Sequence, residues 1–351
     1  MKLSVCIITL NEADKLKRCL ESLKKYDVEI VVVDTGSMDD TQKVIDEYAD
    51  VSESFVWCDN FSKARNYSIS KASNDLVLIL DSDEWIEKAD FDRLIKMYNE
   101  NKYIAGRIER INTYTTNNQE ERGHERICRV FDRRFYCYKG RIHEQVIPKE
   151  TTDEQYINVP VIIGHSGYEG SVEDKKKKAL RNIRLLLMDI DEYGDDPYTL
   201  YQLGKSYYML KDYDKSAEYF ERGLGFDLEP SLEYVQDMVE TYGYCLLNLK
   251  RYDEMMFLKN IYSEFAITAD YMFLMGLAYM NNGMFDEAEE EFKKAAECKV
   301  CKVEGCNGYK SWYNTGVINE CLGKKQKATA YYRKCGNYEP ALAGLRRCAS
   351  E

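Results

Sequence analysis

An apolar run, Leu76 to Leu80, stops abruptly at Asp81, Ser82, Asp83 and Glu84. Carboxylates placed directly after a buried strand fit either a solvated turn or a site where a divalent cation bridges phosphates, because hard cations take oxygen ligands. Two other polar clusters follow apolar runs in the same half of the chain. Thr9, Leu10, Asn11 and Glu12 come after the first, and Asp34, Thr35, Gly36 and Ser37 come after the second. Singly, each is explained by helix capping, since Asn11, Ser37, Asp39 and Thr41 are capping residue types. Three clusters on one sheet edge are harder to explain that way, and ligands on open α/β sheets bind beyond the carboxyl ends of strands. The chain has 3 histidines. His143 lies beside Glu144 in "GRIHEQV" and His165 lies in "IGHSGY"; each is either a ligand or a satisfied structural side chain. His124 falls in a polar loop and carries no assigned role. Trp85 suits either an apolar platform for a sugar or a place in the core, and Glu84 is left without a role.

The elements that must position these groups are legible as short apolar runs separated by helical patterns. "LSVCIITL" and "VEIVVVD" bracket a helical stretch, residues 12–25, with Leu16, Cys19, Leu20 and Leu23 on one face. Strands without polar alternation, separated by helices, imply parallel βαβ units covered on both faces. Later runs, "YIAGRIERI", "ERICRVFDRR" and "YINVPVII", read as mixed or antiparallel strands. The first half is therefore expected to be an α/β sheet domain. From about residue 172 a helix with a basic start follows, with an apolar stripe through Leu180, Ile183, Leu186 and Leu187. Its run Lys175 to Lys178 fits a solvated face or an acceptor-binding one.

Beyond it the chain repeats itself. "LYQLGKSYYMLKDYDKSAEYFERGL", "YMFLMGLAYMNNGMFDEAEEEFKKA" and "WYNTGVINECLGKKQKATAYYRKC" align on small residues and aromatics, and a weaker unit surrounds Gly243. Gly276, Tyr279, Gly283, Ala288, Phe292 and Ala295 fall where a tetratricopeptide repeat places them, with a period near 34 residues. Such arrays present surfaces that bind other proteins, or serve for packing or homodimer formation.

Composition narrows the partners. The 351 residues carry 49 Lys plus Arg against 61 Asp plus Glu, a formal charge of −12. That balance disfavours nucleic-acid binding, which rests on neutralising phosphates, and adhesion to anionic membranes. No apolar run approaches the roughly 18 residues of a membrane span, and the start of the chain does not read as a signal peptide. A cytoplasmic location is the expectation, in which the 12 cysteines are thiols. Cys298, Cys301 and Cys306 cluster, without a clear second pair of zinc-ligand spacing.

"SVCIITLNEADKLKRCLESL", "VVVDTGSMDDT", "FSKARNYSISKASNDLVLILDSDEW" and "GRIHEQV" together resemble a family 2 glycosyltransferase of the GT-A fold. With the repeats, the arrangement is similar to sublancin-type peptide S-glycosyltransferases and related bacterial enzymes. The resemblance implies a Rossmann-like mixed-sheet catalytic domain over 1–170, a linking helix over 171–195, and an all-α tetratricopeptide domain over 196–351. It implies a nucleotide-sugar donor, UDP-linked, with Thr9, Glu12 and Asp34 about the base and Asn11 among the nucleotide-sugar-binding residues. Lys63 and Arg65 would lie near the nucleotide, Asp81 on the ribose, and Ser82 and Trp85 within the donor site. Asp83 would bind Mn2+ or Mg2+, completed by His165 or alternatively His143, and Glu144 would be the catalytic base of an inverting transfer. The acceptor would be a protein or peptide held by the repeats, or else a lipopolysaccharide-core or cell-envelope saccharide. A catalytically silent adaptor is the reading from another class. There is no Gln-x-x-Arg-Trp segment, which speaks against a processive synthase and for transfer of a single sugar.

Overall fold

The computed structural model describes residues 2–116, 119–150, 155–165 and 172–349, and the chain divides into two compact units at residues 192/193. The segment that follows His165 in "IGHSGYEG" lies outside the described residues.

The first unit is built on an eight-stranded mixed sheet. Its strands are β1 (Leu3–Thr9), β2 (Glu29–Asp34), β3 (Val51–Ser54), β4 (Leu76–Asp81), β5 (Glu84–Ala89), β6 (Ala105–Thr116), β7 (Gln119–Asp132) and β10 (Tyr156–His165); β8 (Tyr136–Lys139) and β9 (Gln145–Pro148) form a separate hairpin. The order is β3-β2-β1-β4-β7-β6-β10-β5. The first four strands are parallel, β7 and β5 run antiparallel to their neighbours, and β6 and β10 are parallel to each other.

Alternate residues of β1 and β4 serve opposite faces, as the two-residue strand period requires. Leu3, Val5, Ile7, Leu76, Leu78 and Leu80 pack under α1 (Ala13–Leu23), α2 (Thr41–Tyr48) and α4 (Phe91–Glu100). Cys6, Val77 and Ile79 face α3 (Phe61–Lys71) and the β8–β9 hairpin. Double coverage explains why these strands lack polar alternation. The α1 face is the one expected, with Leu16, Cys19, Leu20 and Leu23 fully buried.

Helix α5 (Val172–Tyr193) belongs to the first unit up to residue 192. Its stripe is rotated from the expected one: Ala179, Ile183, Leu185 and Leu186 are buried, while Leu180 is 50% and Leu187 37% exposed. Polar anchors set that rotation. Asp189 accepts from the Arg141 backbone N–H at 3.0 Å, Asn182 meets the His143 ring at 3.3 Å, and Arg184 pairs with Asp59 at 2.6 Å.

The second unit is helical: α6 (Pro197–Met209), α7 (Tyr213–Leu224), α8 (Glu233–Asn248), α9 (Phe257–Asn260), α10 (Tyr262–Phe265), α11 (Ala269–Asn281), α12 (Phe285–Glu297), α13 (Tyr309–Cys321), α14 (Lys325–Arg333) and α15 (Glu339–Ala349). In three repeats a glycine faces an aromatic ring of the paired helix. A Cβ on Gly204 would lie 2.4 Å from Phe220, one on Gly276 2.7 Å from Phe292, and one on Gly316 2.5 Å from Tyr332. The aromatic stands sixteen residues beyond the glycine each time. Counting from Gly243 reaches Lys259, and there the second helix breaks into the short α9 and α10; Gly243 packs on Leu274 of the next repeat instead. Cys306 is buried and its thiol is pushed up to about 12 by that burial. Among the described residues no three His, Cys, Asp or Glu side chains gather as a metal site, the Cys298/Cys301/Cys306 cluster included.

Candidate active site

Parallel pairing brings the three polar clusters to one rim. Thr9 is the register partner of Asp34, and Ile8 is the partner of Asp81. The two loops after β1 and β2 brace each other. Asn11 N–H donates to Ser37 Oγ at 2.8 Å, Met38 N–H to Asn11 Oδ1 at 2.7 Å, and Glu12 N–H to Thr41 Oγ1 at 3.1 Å. They hold the approach to α1, whose N-cap Glu12 makes no side-chain cap bond; the first helical N–H, that of Ala13, donates to Asp39 Oδ2 at 3.4 Å. Asn11 adopts a φ of 53°, a left-handed conformation that Asn tolerates. Asp34 closes its own turn, accepting from Ser37 N–H at 3.0 Å and Ser37 Oγ at 2.6 Å. The third cluster is tied in through Ser82, whose hydroxyl donates to Glu12 Oε2, while Lys15 donates to Glu12 Oε1 at 2.9 Å.

Asp81 lies between two guanidiniums. Arg65 Nη2 donates to its Oδ1 at 2.6 Å and Arg129 Nη2 to its Oδ2 at 2.7 Å. Burial opposes ionisation of Asp81, but Arg129 and Arg65 outweigh it and hold the carboxyl well below the usual range. Arg65 also reaches across with Nε to Glu144 Oε1, so one buried guanidinium joins Asp81 and Glu144. Asn66 makes this reach possible. Its amide donates to Tyr138 O at 2.9 Å and accepts from Tyr138 N–H at 3.0 Å, docking β8 on α3 and with it the "GRIHEQV" turn.

Glu84 answers the question its position raised. It is fully buried, accepts from the Asp81 N–H at 2.9 Å and pairs with Arg110 at 3.2 Å. Burial and the neighbouring Asp81 charge push its carboxyl up, against Arg129 and Arg110. Glu84 thus shapes the turn that carries the two aspartates.

Asp83 Oδ2 and His165 Nε2 lie 3.6 Å apart, because His165 ends β10 opposite Glu84 at the start of β5. The carboxyl of Asp83 is held down, burial being outweighed by the facing His165 ring. A carboxylate oxygen and an imidazole nitrogen that converge so closely fit a divalent cation with two protein ligands. Magnesium-type ions commonly take one or two side chains and complete their shell with phosphate oxygens and water. His143 does not share this position. It faces Asn182 with a φ of 51°, and burial lowers its basicity.

Two buried polar atoms at the rim, Thr9 Oγ1 and Arg65 Nη1, have no hydrogen-bond partner among the described residues, a condition that costs about 1–3 kcal/mol per group until something binds. Lys63 is exposed on α3. The Trp85 ring lies against Gly164, where a Cβ would come within 2.3 Å of it, and Arg18 stacks 3.3 Å from its centroid. Trp85 is therefore packed between elements while remaining partly exposed.

Sequence reasoning assigned no role to Arg110, Asn112, Glu125, Arg129, Asn66 and Tyr138. A signal for two of them was present. Arg110 and Arg129 interrupt apolar strands, and buried arginines demand carboxylates, which the "DSDE" turn supplies.

The profile of "Glycosyl transferase family 2" matches residues 4–167. "Tetratricopeptide repeat" profiles match 197–227, 269–299 and 309–342, leaving the irregular unit about Gly243 unmatched. A TPR repeat-containing protein of Synechococcus elongatus is 26% identical over 66% of this chain and 59% of its own length. The SPbeta prophage-derived glycosyltransferase SunS of Bacillus subtilis is 25% identical over 62% of this chain and 52% of its own. The lipopolysaccharide core biosynthesis glycosyltransferase LpsC of Rhizobium meliloti is 26% identical over 57% and 69%. The matched part is little more than half the length of the first two relatives. With the mixed sheet, its polar rim and the paired Asp83 and His165 in place, residues 4–167 are a family 2 glycosyl transferase domain, followed in the same chain by tetratricopeptide repeats.

Proposed function

We propose that this protein is a metal-dependent, inverting glycosyltransferase that moves one sugar from a UDP-sugar to a protein or peptide acceptor. The observation that carries the reading is the convergence of Asp83 Oδ2 and His165 Nε2 on the rim that also holds Asp34 and Asp81. Thr9, Asn11, Glu12 and Asp34 form the base pocket, Asp34 accepting from the uracil imide. Asp81 takes the ribose, with Ser82, Lys63 and Arg65 beside the nucleotide. Asp83 and His165 hold Mn2+ or Mg2+. When bound, that cation neutralises the charge that grows on the departing diphosphate. Glu144 takes the acceptor's proton on a carboxylate oxygen as the acceptor attacks the anomeric carbon. Arg65 keeps that base and Asp81 in register, since it bonds both.

The repeats support a polypeptide acceptor, because such arrays commonly bind other proteins. The likeness to LpsC supports a second reading, in which the acceptor is a cell-envelope saccharide. A screen of UDP-sugars for hydrolysis with Mn2+ or Mg2+, followed by mass spectrometry of candidate acceptors, separates the two. Donor hydrolysis should depend on the cation and vanish in Asp83→Ala. If no UDP-sugar binds or is hydrolysed with any divalent ion, the enzyme reading fails and an adaptor role takes its place. The anomeric configuration of the product tests inversion.

A further inference from the structure

Behind His165 runs an unbroken chain of polar contacts across four adjacent strands. His165 Nδ1 meets Asn112 Oδ1 at 2.7 Å, and the Asn112 amide donates from Nδ2 to Glu125 Oε1. Arg110 clasps Glu125, with Nε at 3.0 Å and Nη2 at 2.9 Å, and with Nη1 it reaches Glu84 at 3.2 Å. Glu84 in turn accepts from the Asp81 N–H at 2.9 Å. The path therefore starts at Asp83, passes through His165, and ends on the backbone of the same Asp81-Ser82-Asp83 turn.

Strand order makes the path possible. Asn112 is the register partner of His165, Arg110 is the partner of Glu125, and His165 is the partner of Glu84. Arg110 and Asn112 stand two apart on β6, so they share a face.

The donors and acceptors along this path leave one arrangement. Glu125 as a carboxylate only accepts, and Arg110 only donates. Asn112 must therefore turn its NH2 to Glu125 and its Oδ1 to His165. An amide oxygen only accepts, so Nδ1 of His165 carries the proton. Nε2 is then the ring nitrogen that faces Asp83 Oδ2, 3.6 Å away, and the one a cation held between them would use.

We propose that Arg110, Glu125 and Asn112 are positioning residues that hold a proton on Nδ1 of His165 and aim Nε2 at Asp83 before any cation arrives. The metal-dependent reading above supplies the purpose of this lock, but the lock itself is a property of the metal-free protein. Partners of this kind typically alter metal affinity by about 10–100-fold.

The full-length chain, labelled with 15N-histidine, provides the test, since only 3 histidines contribute signals. Two-bond 1H–15N correlations at pH 8 should show His165 in the Nδ1–H form without metal. Asn112→Ala and Glu125→Ala should shift it toward the Nε2–H form and raise the Mn2+ dissociation constant by about 10–100-fold. Glu125→Gln keeps an oxygen for Arg110 and Asn112 and should retain the wild-type tautomer. Finding Nδ1 of wild-type His165 without a proton overturns the proposal, as does an unchanged ring state in both alanine variants. Glu125 is only half-buried, so its variants report even where Asn112→Ala fails to fold. Should Mn2+ not bind the wild-type protein while the tautomer is as stated, the relay stands and the metal reading falls.

Discussion

At the scale of single residues, the network around Asp81 concentrates buried charge, and its members are unequal. Arg129 keeps only 11% of its side chain exposed and serves Asp81 and Glu84 together. Removing one partner from a buried set leaves an uncompensated charge, which costs about 3–5 kcal/mol. Arg129→Met should lower unfolding free energy by that amount in urea titration. Lys43→Ala, which breaks an ion pair with 77% and 73% exposed partners, should leave it essentially unchanged. Glu144→Gln preserves an oxygen for Arg65, so UDP-sugar binding by calorimetry should stay near wild type. Transfer should fall by about 100-fold or more if Glu144 takes the proton; a near-normal rate excludes it as the base.

His143 gives a pH prediction. Burial lowers its pKa from 6.5, with Glu144 opposing. Below that value the unfolded chain binds a proton that the folded chain resists, so stability rises with pH there. The contribution of a neutral His143 is present above 6.5 and is lost as pH falls through the lowered value. His143→Gln should flatten the dependence of the urea midpoint on pH across this window. An unchanged slope would show that His143 is not the group responsible.

At the scale of elements, the glycine–aromatic contacts decide how closely the paired helices of each repeat approach. Gly276→Ala would set a Cβ 2.7 Å from Phe292, which is 0% exposed and enclosed by its own neighbours. Overpacking of this kind costs about 1–3 kcal/mol, and a matching fall in thermal stability is expected. Elements also account for what could not be read in advance. The α1 stripe was legible because Leu16, Cys19, Leu20 and Leu23 meet a uniform apolar sheet face. The α5 stripe was misjudged because its rotation is set by Asp189, Asn182 and Arg184, whose partners lie far away in sequence. β5 was missed because it begins inside the polar cluster it helps to build and, as Glu84-Trp85-Ile86-Glu87-Lys88-Ala89, carries no apolar run.

At the scale of the whole molecule, the proposed function divides donor chemistry, in the first unit, from acceptor capture by the repeats. A chain ending near residue 195 should keep slow, cation-dependent UDP-sugar hydrolysis and lose transfer to a polypeptide. Circular dichroism would verify that the truncated chain is folded, and undiminished transfer by it would remove the repeats from acceptor binding. By itself the sequence determined the βαβ pattern, the repeats and the three polar clusters, because hydrophobic period and small-residue spacing are local signals. Asp34, Asp81 and Asp83 were legible as candidates on a shared rim for that reason. Only the tertiary structure decided that His165 rather than His143 faces Asp83, that Glu84 caps Asp81, and that Arg65, Arg110 and Arg129 balance the carboxylates. Strand order sets those pairings, and strands as distant as β4 and β7, or β5 and β10, become neighbours only when the sheet closes its long-range register.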